Sequence, residues 1–158
     1  MEKGSQLYEG KAKRVYATDD PKLLIVPYKD DATAFNGLKR GSIAGKGIIN
    51  NKMSNDLMRL LNKEGIPTHY VEELSDRDTL VKKVEIVPLE VIVRNFSAGS
   101  FAQHYGGEEG IVFTAPTIEF SYKNDALDDP LLNEYHALDL ELASREEIET
   151  INSVLTRC

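Results

Sequence analysis

The chain has 158 residues, enough for one globular domain or for a small domain and part of a second. Its 41% hydrophobic and 28% charged residues suffice for a core and exclude wholesale disorder. No apolar run approaches the ~18 residues of a membrane helix, and the opening MEKGSQLYEG lacks the apolar stretch of a signal peptide. The single cysteine, Cys158, allows neither a disulfide framework nor a cysteine-built zinc site. A cytoplasmic protein without a membrane partner is expected.

The net charge of −7 comes from 19 Lys and Arg against 26 Asp and Glu, which disfavours nucleic acid as a partner. The charge is unevenly spread. Residues 1–60 hold 11 Lys and Arg against 7 Asp and Glu, whereas residues 61–158 hold 8 against 19. Cations gathered with glycines in one third of an acidic protein suit a compact anionic ligand, although a chance imbalance reads the same.

The first thirty residues carry strand signals. Residues 14–18 and 23–28 flank an Asp/Pro turn and read as an antiparallel hairpin, and residues 6–8 add a third short strand. Residues 30–47 read as a loop. From Ile48 the period changes: Ile49, Met53, Leu57, Leu60 and Leu61 form the stripe of an amphipathic helix, closed by Gly65 and Pro67. A strand near residues 68–71, an acidic turn at 75–78 and loosely alternating residues 80–87 follow. Strand character restarts after Pro88, and a short helix after Ser97 runs to Gly106-Gly107. Residues 111–114 and 117–122 read as two strands and residues 123–130 as a loop. In the last helix Ser144 and Glu147 form a capping box, with Ile148, Ile151, Val154 and Leu155 as its buried stripe. It is still running at Cys158.

Three segments carry candidate chemistry. In YEGKAKRVY, Gly10 lets backbone approach a ligand while Lys11, Lys13 and Arg14 offer charge to phosphate oxygens; a charged solvent-facing turn is the alternative. The glycine-rich residues 37–47 are not a P-loop, because Gly41 and Gly45-Lys46 are one residue too close and Gly47 replaces the Ser or Thr. A cation-bearing lid or a plain surface loop remains. In VRNFSAGS a strand delivers Arg94 to a helix start that offers free amides and a serine hydroxyl, a suitable phosphate or carboxylate site. The alternative is a capped helix with a structural Arg94–Glu90 salt bridge. His69, His104 and His136 are isolated and make no zinc pattern, no Gly-x-Ser-x-Gly elbow occurs, and Asp125, Asp128 and Asp129 read as a solvated acidic loop.

Together LYEGKAKRVY, KDDATAFNG, GIPTHYVEELSDRD, VKKVEIVPLEVIVRNFSAGS and EFSYKNDALDDPLLNE resemble the SAICAR synthetase family, in register from Leu7 to about Leu155. The resemblance implies an α+β fold related to ATP-grasp and kinase-like architectures. A small antiparallel β domain over residues 1–83 would cover the nucleotide, and an incomplete α+β domain over 84–158 would begin the ribotide site. It implies a ligase of purine biosynthesis that joins L-aspartate to carboxyaminoimidazole ribotide through an acyl phosphate, with ATP consumed and SAICAR, ADP and phosphate released. By the same resemblance, Gly10, Lys11, Ala12, Lys13, Val15 and Lys82 bind ATP, and Arg94 and Ser100 bind the ribotide. Lys123 and Asp129 stand at the reacting end, and Asn36 and Gly37 belong to a mobile loop. A homo-oligomer is suggested.

The family pattern continues beyond position 158 with an Asp-x-Lys-x-Glu-Phe-Gly strand and an acidic segment. The Mg2+ ligands are therefore expected in that missing C-terminal part, and none is assigned to these residues. Ligase activity of this chain by itself is not expected, and the stripe of Ile148, Ile151, Val154 and Leu155 is expected to be exposed or to pack on another copy. A truncated nucleotide- or ribotide-binding remnant without ligase activity is the alternative.

Overall fold

The computed structural model describes residues 1–34 and 39–155. The chain divides into two compact units, Met1–Glu85 and Ile86–Cys158.

In the first unit, β1 (Gln6–Glu9), β2 (Arg14–Ala17) and β3 (Leu23–Pro27) are followed by the pair β4 (Asp31–Ala34) and β5 (Lys39–Ser42). Helix α1 (Lys46–Lys63) and strands β6 (Tyr70–Glu73) and β7 (Asp78–Lys82) complete it. Five strands form an antiparallel sheet in the order β1-β2-β3-β7-β6. Tyr16, Ile25 and Leu80 share one rung, and Ala17, Leu24 and Val81 the next. Ile25, Val26, Leu80 and Val81 are buried, as β-branched and leucine side chains on a central pair of strands should be.

Two features of this unit differ from the sequence reading. Residues 31–34 and 39–42, read as loop, pair as a separate antiparallel hairpin; small and charged residues there hide the alternation that marks a strand. Helix α1 forms where expected but turns its apolar stripe outward. Ile49, Met53, Leu57 and Leu60 are each more than half exposed, whereas Asn51 and Asn55 are fully buried. The burial follows from hydrogen bonding. Asn51 Nδ2 donates to the Ser75 carbonyl (3.0 Å), and the Thr79 hydroxyl lies 2.6 Å from Asn51 Oδ1 and 2.8 Å from Asn55 Oδ1. Spaced by four, the two asparagines occupy one helix face and clip it to β7.

In the second unit, β8 (Leu89–Phe96), α2 (Ser100–Tyr105), β9 (Val112–Tyr122), β10 (Leu131–Leu132), α3 (Glu134–Asp139) and α4 (Arg145–Leu155) follow in order. The sheet runs β10-β9-β8, antiparallel throughout. Strand β9 is continuous where two strands were expected; its register with β8 shifts between Arg94 and Phe96, which absorbs Pro116 without ending the ladder. The core is Leu89, Phe120, Ala137, Ala143 and Ile148, with Ile151, Leu132, Leu138 and Val91 against it. The α4 stripe thus finds cover inside the unit, correcting the expectation that it lacks any: Ile148 is 3% exposed, and Val154 and Leu155 are half-buried.

The α4 capping box is present in full. Glu147 N donates to Ser144 Oγ (3.2 Å) and Ser144 N to Glu147 Oε2 (2.7 Å), and these bonds hold the Glu147 carboxyl below its ordinary value. Replacing Ser144 with Ala should destabilise the second unit by about 0.5–2 kcal/mol, read from the urea unfolding midpoint. Thr79→Val should cost the first unit about 1–3 kcal/mol by leaving buried asparagine groups unpaired; an unchanged midpoint would remove the network from the account of α1 docking.

Candidate functional site

In the first unit, the β1–β2 hairpin presents residues 10–13 at its tip. Its geometry is set by main-chain bonds: Gly10 N donates to the Lys13 carbonyl (2.9 Å), and Lys29 N to the Ala12 carbonyl (2.7 Å). Lys13 also pairs with Tyr28 in an isolated bridge. Beneath the turn, the nearly buried Lys29 ammonium contacts Glu9 Oε1 at 2.7 Å, Asp31 Oδ2 at 2.6 Å and the Gly10 carbonyl at 3.4 Å. Arg14 Nε reaches Glu9 Oε2 at 3.2 Å. Lys29 first, then Arg14, hold the Glu9 carboxyl down from 4.5 to about 2.

Lys11 and Lys13 stay exposed and make no ion pair among the described residues. A pair of uncommitted ammonium groups on a pinned turn is suited to an anion. By strand alternation Lys13 and Val15 lie on one sheet face with Val26, Arg77 and Thr79. Lys82 alternates with Val81 and projects from the opposite face, so the structure does not bring its side chain to Lys13 and Val15. His69, read as isolated, is half-buried, and burial and then the Lys13 charge push its pKa down. Nothing in its sequence neighbourhood signals that. Asn36 and Gly37 lie outside the described residues.

In the second unit, β8 carries Arg94 to the start of α2. Arg94 Nη2 donates to Ser100 Oγ (2.9 Å), Nη1 to the Ala98 carbonyl (3.4 Å), and Nε to Glu119 Oε2 (3.2 Å) on β9. Arg94 and Ser100 therefore meet, as their spacing suggested. The carboxylate partner is Glu119 and not Glu90, because the ladder sets Glu119 opposite Ile92, diagonal to Arg94, while Glu90 sits four residues back along the same strand. The offered helix-start amides are partly taken: Gly99 N donates to Glu109 Oε1 at 3.0 Å. Ser97 is buried and does not cap α2; its hydroxyl donates to the Glu108 carbonyl (2.5 Å) and accepts from Ile111 N (3.0 Å).

Lys123 and Asp129 flank the loop after β9, both exposed. Asp129 Oδ1 accepts from Asn124 N (2.7 Å), and its backbone takes φ 46°. Beside this loop an open cavity of about 570 Å³ is lined by Tyr105, Glu119, Phe120, Leu132, Asn133 and His136. His136 Nδ1 accepts from Asn133 N (3.4 Å) while Asn133 Oδ1 accepts from His136 N (3.0 Å), a capping box for α3. Among the described residues no three His, Cys, Asp or Glu side chains stand together to hold a metal. These residues do not fit Mg2+.

The first unit thus bears a pinned glycine–lysine turn on an antiparallel sheet, and the second an arginine–serine pair on an α+β frame. The family model described as SAICAR synthetase matches residues 6–157, and the chain belongs to that family. Phosphoribosylaminoimidazole-succinocarboxamide synthase of Lachnoclostridium phytofermentans is 65% identical over 153 residues, covering 97% of this chain and 65% of the relative. The crystal structure of the Ehrlichia chaffeensis synthase matches with TM-score 0.91 at 42% identity, over 97% of this chain and 65% of that one. A SAICAR synthetase solved in complex with ADP matches with TM-score 0.87 at 42% identity, over 94% of this chain and 63% of that one. The chain thus spans just under two thirds of these relatives.

The turn's ion pairs set a pH dependence. A carboxyl depressed in the folded state adds stability above its unfolded value and loses it as pH falls through the folded value. The stability difference between the native protein and Glu9→Gln should be full above about 4.5 and vanish toward about 2. Asp30, held lower still by Arg77 and by the Gly47 amide, loses its contribution at more acid pH. Urea midpoints measured down the pH scale, with and without added salt, check the order of the two losses.

Proposed function

We propose that the chain carries the nucleotide turn and the ribotide anchor of an ATP-dependent carbon–nitrogen ligase acting in the cytoplasm on small molecules alone: ATP, carboxyaminoimidazole ribotide and L-aspartate. The observation that carries this reading is the Arg94–Ser100 contact at 2.9 Å, which sets a forked cation and a hydroxyl together in the VRNFSAGS run. Both groups can meet the ribotide's phosphate, the guanidinium through parallel N–H donors. Lys11, Lys13 and the backbone of Gly10 and Ala12 hold the ATP phosphates, with Val15 against the adenine and the backbone at Lys82 passing the nucleotide. This gives the first unit the nucleotide role and the second the ribotide role.

The chemistry fits these groups. A carboxylate is a poor electrophile, so one of its oxygens attacks the γ-phosphorus and ADP leaves. The amine nitrogen of aspartate then attacks the acyl carbon of the mixed anhydride, phosphate departs with the C–O electron pair, and the nitrogen sheds a proton. All reactants are anionic, so the cations that gather them also oppose the charge that develops during transfer. Lys123 stands at that charge, and Asp129 is the carboxylate that receives the amine proton. The loop of Asn36 and Gly37 closes over the reactants. A homo-oligomeric assembly and a requirement for Mg2+ belong to the same reading.

In the intact gene product, Lys11→Ala or Lys13→Ala should weaken ATP binding by about 1–3 kcal/mol, the scale of a charged hydrogen bond, as read by calorimetry. Arg94→Met should raise the KM for the ribotide and spare that for ATP. Equal losses for both ligands would point to a folding defect. Binding of both ligands with no ADP release dependent on aspartate would instead support a binding remnant.

A further inference from the structure

Two of the arginine–carboxylate pairs of this protein, Arg77–Asp30 and Arg94–Glu119, are built differently, and the difference assigns a role to Glu119. Arg77 meets Asp30 fork to fork, Nη1 on Oδ1 at 2.8 Å and Nη2 on Oδ2 at 2.9 Å, so the ion pair consumes the face with which an arginine grips anions. Arg94 meets Glu119 through Nε alone and through one oxygen only, at 3.2 Å. Among the described residues the other oxygen, Glu119 Oε1, is buried without a hydrogen-bond partner, and so is Thr117 Oγ1, directly across the ladder from Arg94. A pair serving stability alone would satisfy both oxygens, since an unpaired buried carboxylate oxygen opposes folding.

The geometry also leaves the guanidinium incompletely used. Of its five N–H groups, one goes to Glu119, one to the Ala98 carbonyl and one to Ser100 Oγ. The side chains of Arg94 and Glu119 are only 17% and 14% exposed, so the guanidinium has few other orientations.

Resting on the ribotide reading above, we propose that Glu119 is the positioning residue for Arg94. It holds Nε from the strand side, and the terminal nitrogens stay turned toward Ser100 and the ribotide's anionic group. Glu119 touches no substrate itself. Its single-oxygen contact avoids the fork-to-fork chelate that would block anion binding. Reduced freedom of the guanidinium lowers the ordering needed when the anion arrives.

The test is a double-mutant cycle in the intact gene product, with the ribotide and ATP constants measured by ADP release and Tm measured alongside. Glu119→Ala should raise the ribotide KM about tenfold, as misdirection of a binding group does, with the ATP KM unchanged. Glu119→Gln, nearly isosteric and still an acceptor, should raise it less. In an Arg94→Met background, Glu119→Ala should add no further rise, because Glu119 acts only through Arg94. A lower Tm with both KM values unchanged would overturn the positioning role and leave a structural pair. Additive effects in the cycle would also overturn it. If Arg94→Met itself leaves the ribotide KM unchanged, the ribotide reading fails and this role falls with it; if Arg94→Met raises it and Glu119→Ala does not, only the positioning role is lost. Should the alanine variant not fold, an unchanged ribotide KM in soluble Glu119→Gln is decisive against it.

Discussion

Four N–H groups converge on the carboxylate of Asp30, and the order of the first unit depends on them. Two come from the Arg77 guanidinium, and two from the backbone at the start of α1, Gly47 N at 2.8 Å and Gly45 N at 3.4 Å. Helix α1 has neither a side-chain cap of its own nor an acidic residue in its first turn. A carboxylate from outside therefore supplies both the acceptor and the negative charge its N-terminus favours. The approach is close enough to require glycine: a Cβ on Gly47 would stand 2.6 Å from both the Tyr28 carbonyl oxygen and Arg77 Nη1. Residues flanking Asp30 extend the same lock, since Tyr28 N bonds the Arg77 carbonyl and Lys29 N the Ala12 carbonyl. One short stretch between β3 and β4 thereby fixes α1, the segment before β7 and the underside of the hairpin turn.

That lock explains why α1 can present asparagines to the sheet. A helix whose N-terminus is tied at Asp30 has its rotation set, and the face it offers β7 is that of Asn51 and Asn55. Ser75 and Thr79 supply partners to the Asn51 amide and to both asparagine oxygens, while Asn55 Nδ2 is buried without one among the described residues. The arrangement is specific in a way an apolar contact is not, since a small rotation of the helix would strand buried amides.

Legibility in the sequence followed the same physical lines. The hairpins of the first sheet, the α4 stripe and the Ser144–Glu147 box could be read because their signals are local: alternation, a period of 3.6 and a spacing of three. The VRNFSAGS run correctly brought Arg94 and Ser100 together. The burial of α1 was not legible, because periodicity assumes the core lies on the apolar side, and two asparagines look like solvent-facing residues until Thr79 is folded beside them. Helix α3 escaped notice because, unlike α2 of equal length, which Gly106-Gly107 closes, it ends on Leu140 with no glycine to mark it. Glu119 escaped because its importance lies in strand register, 25 positions from Arg94 in sequence.

The charge surplus of residues 1–60 was a real signal with a misleading scale. In the folded first unit Lys3, Arg14, Lys29 and Arg59 of that segment each face carboxylates, so part of that charge is spent on architecture. Net charge over a segment does not separate a cation that holds the fold from one that can hold a ligand. The separation is made by the neighbours: Glu9 and Asp31 flank Lys29, whereas Lys11 and Lys13 have only glycine, alanine and backbone between them. The paired lysine underneath fixes the turn and leaves the two above it without a carboxylate partner among the described residues, so the nucleotide role proposed for the tip depends on carboxylates lying below it and not beside it.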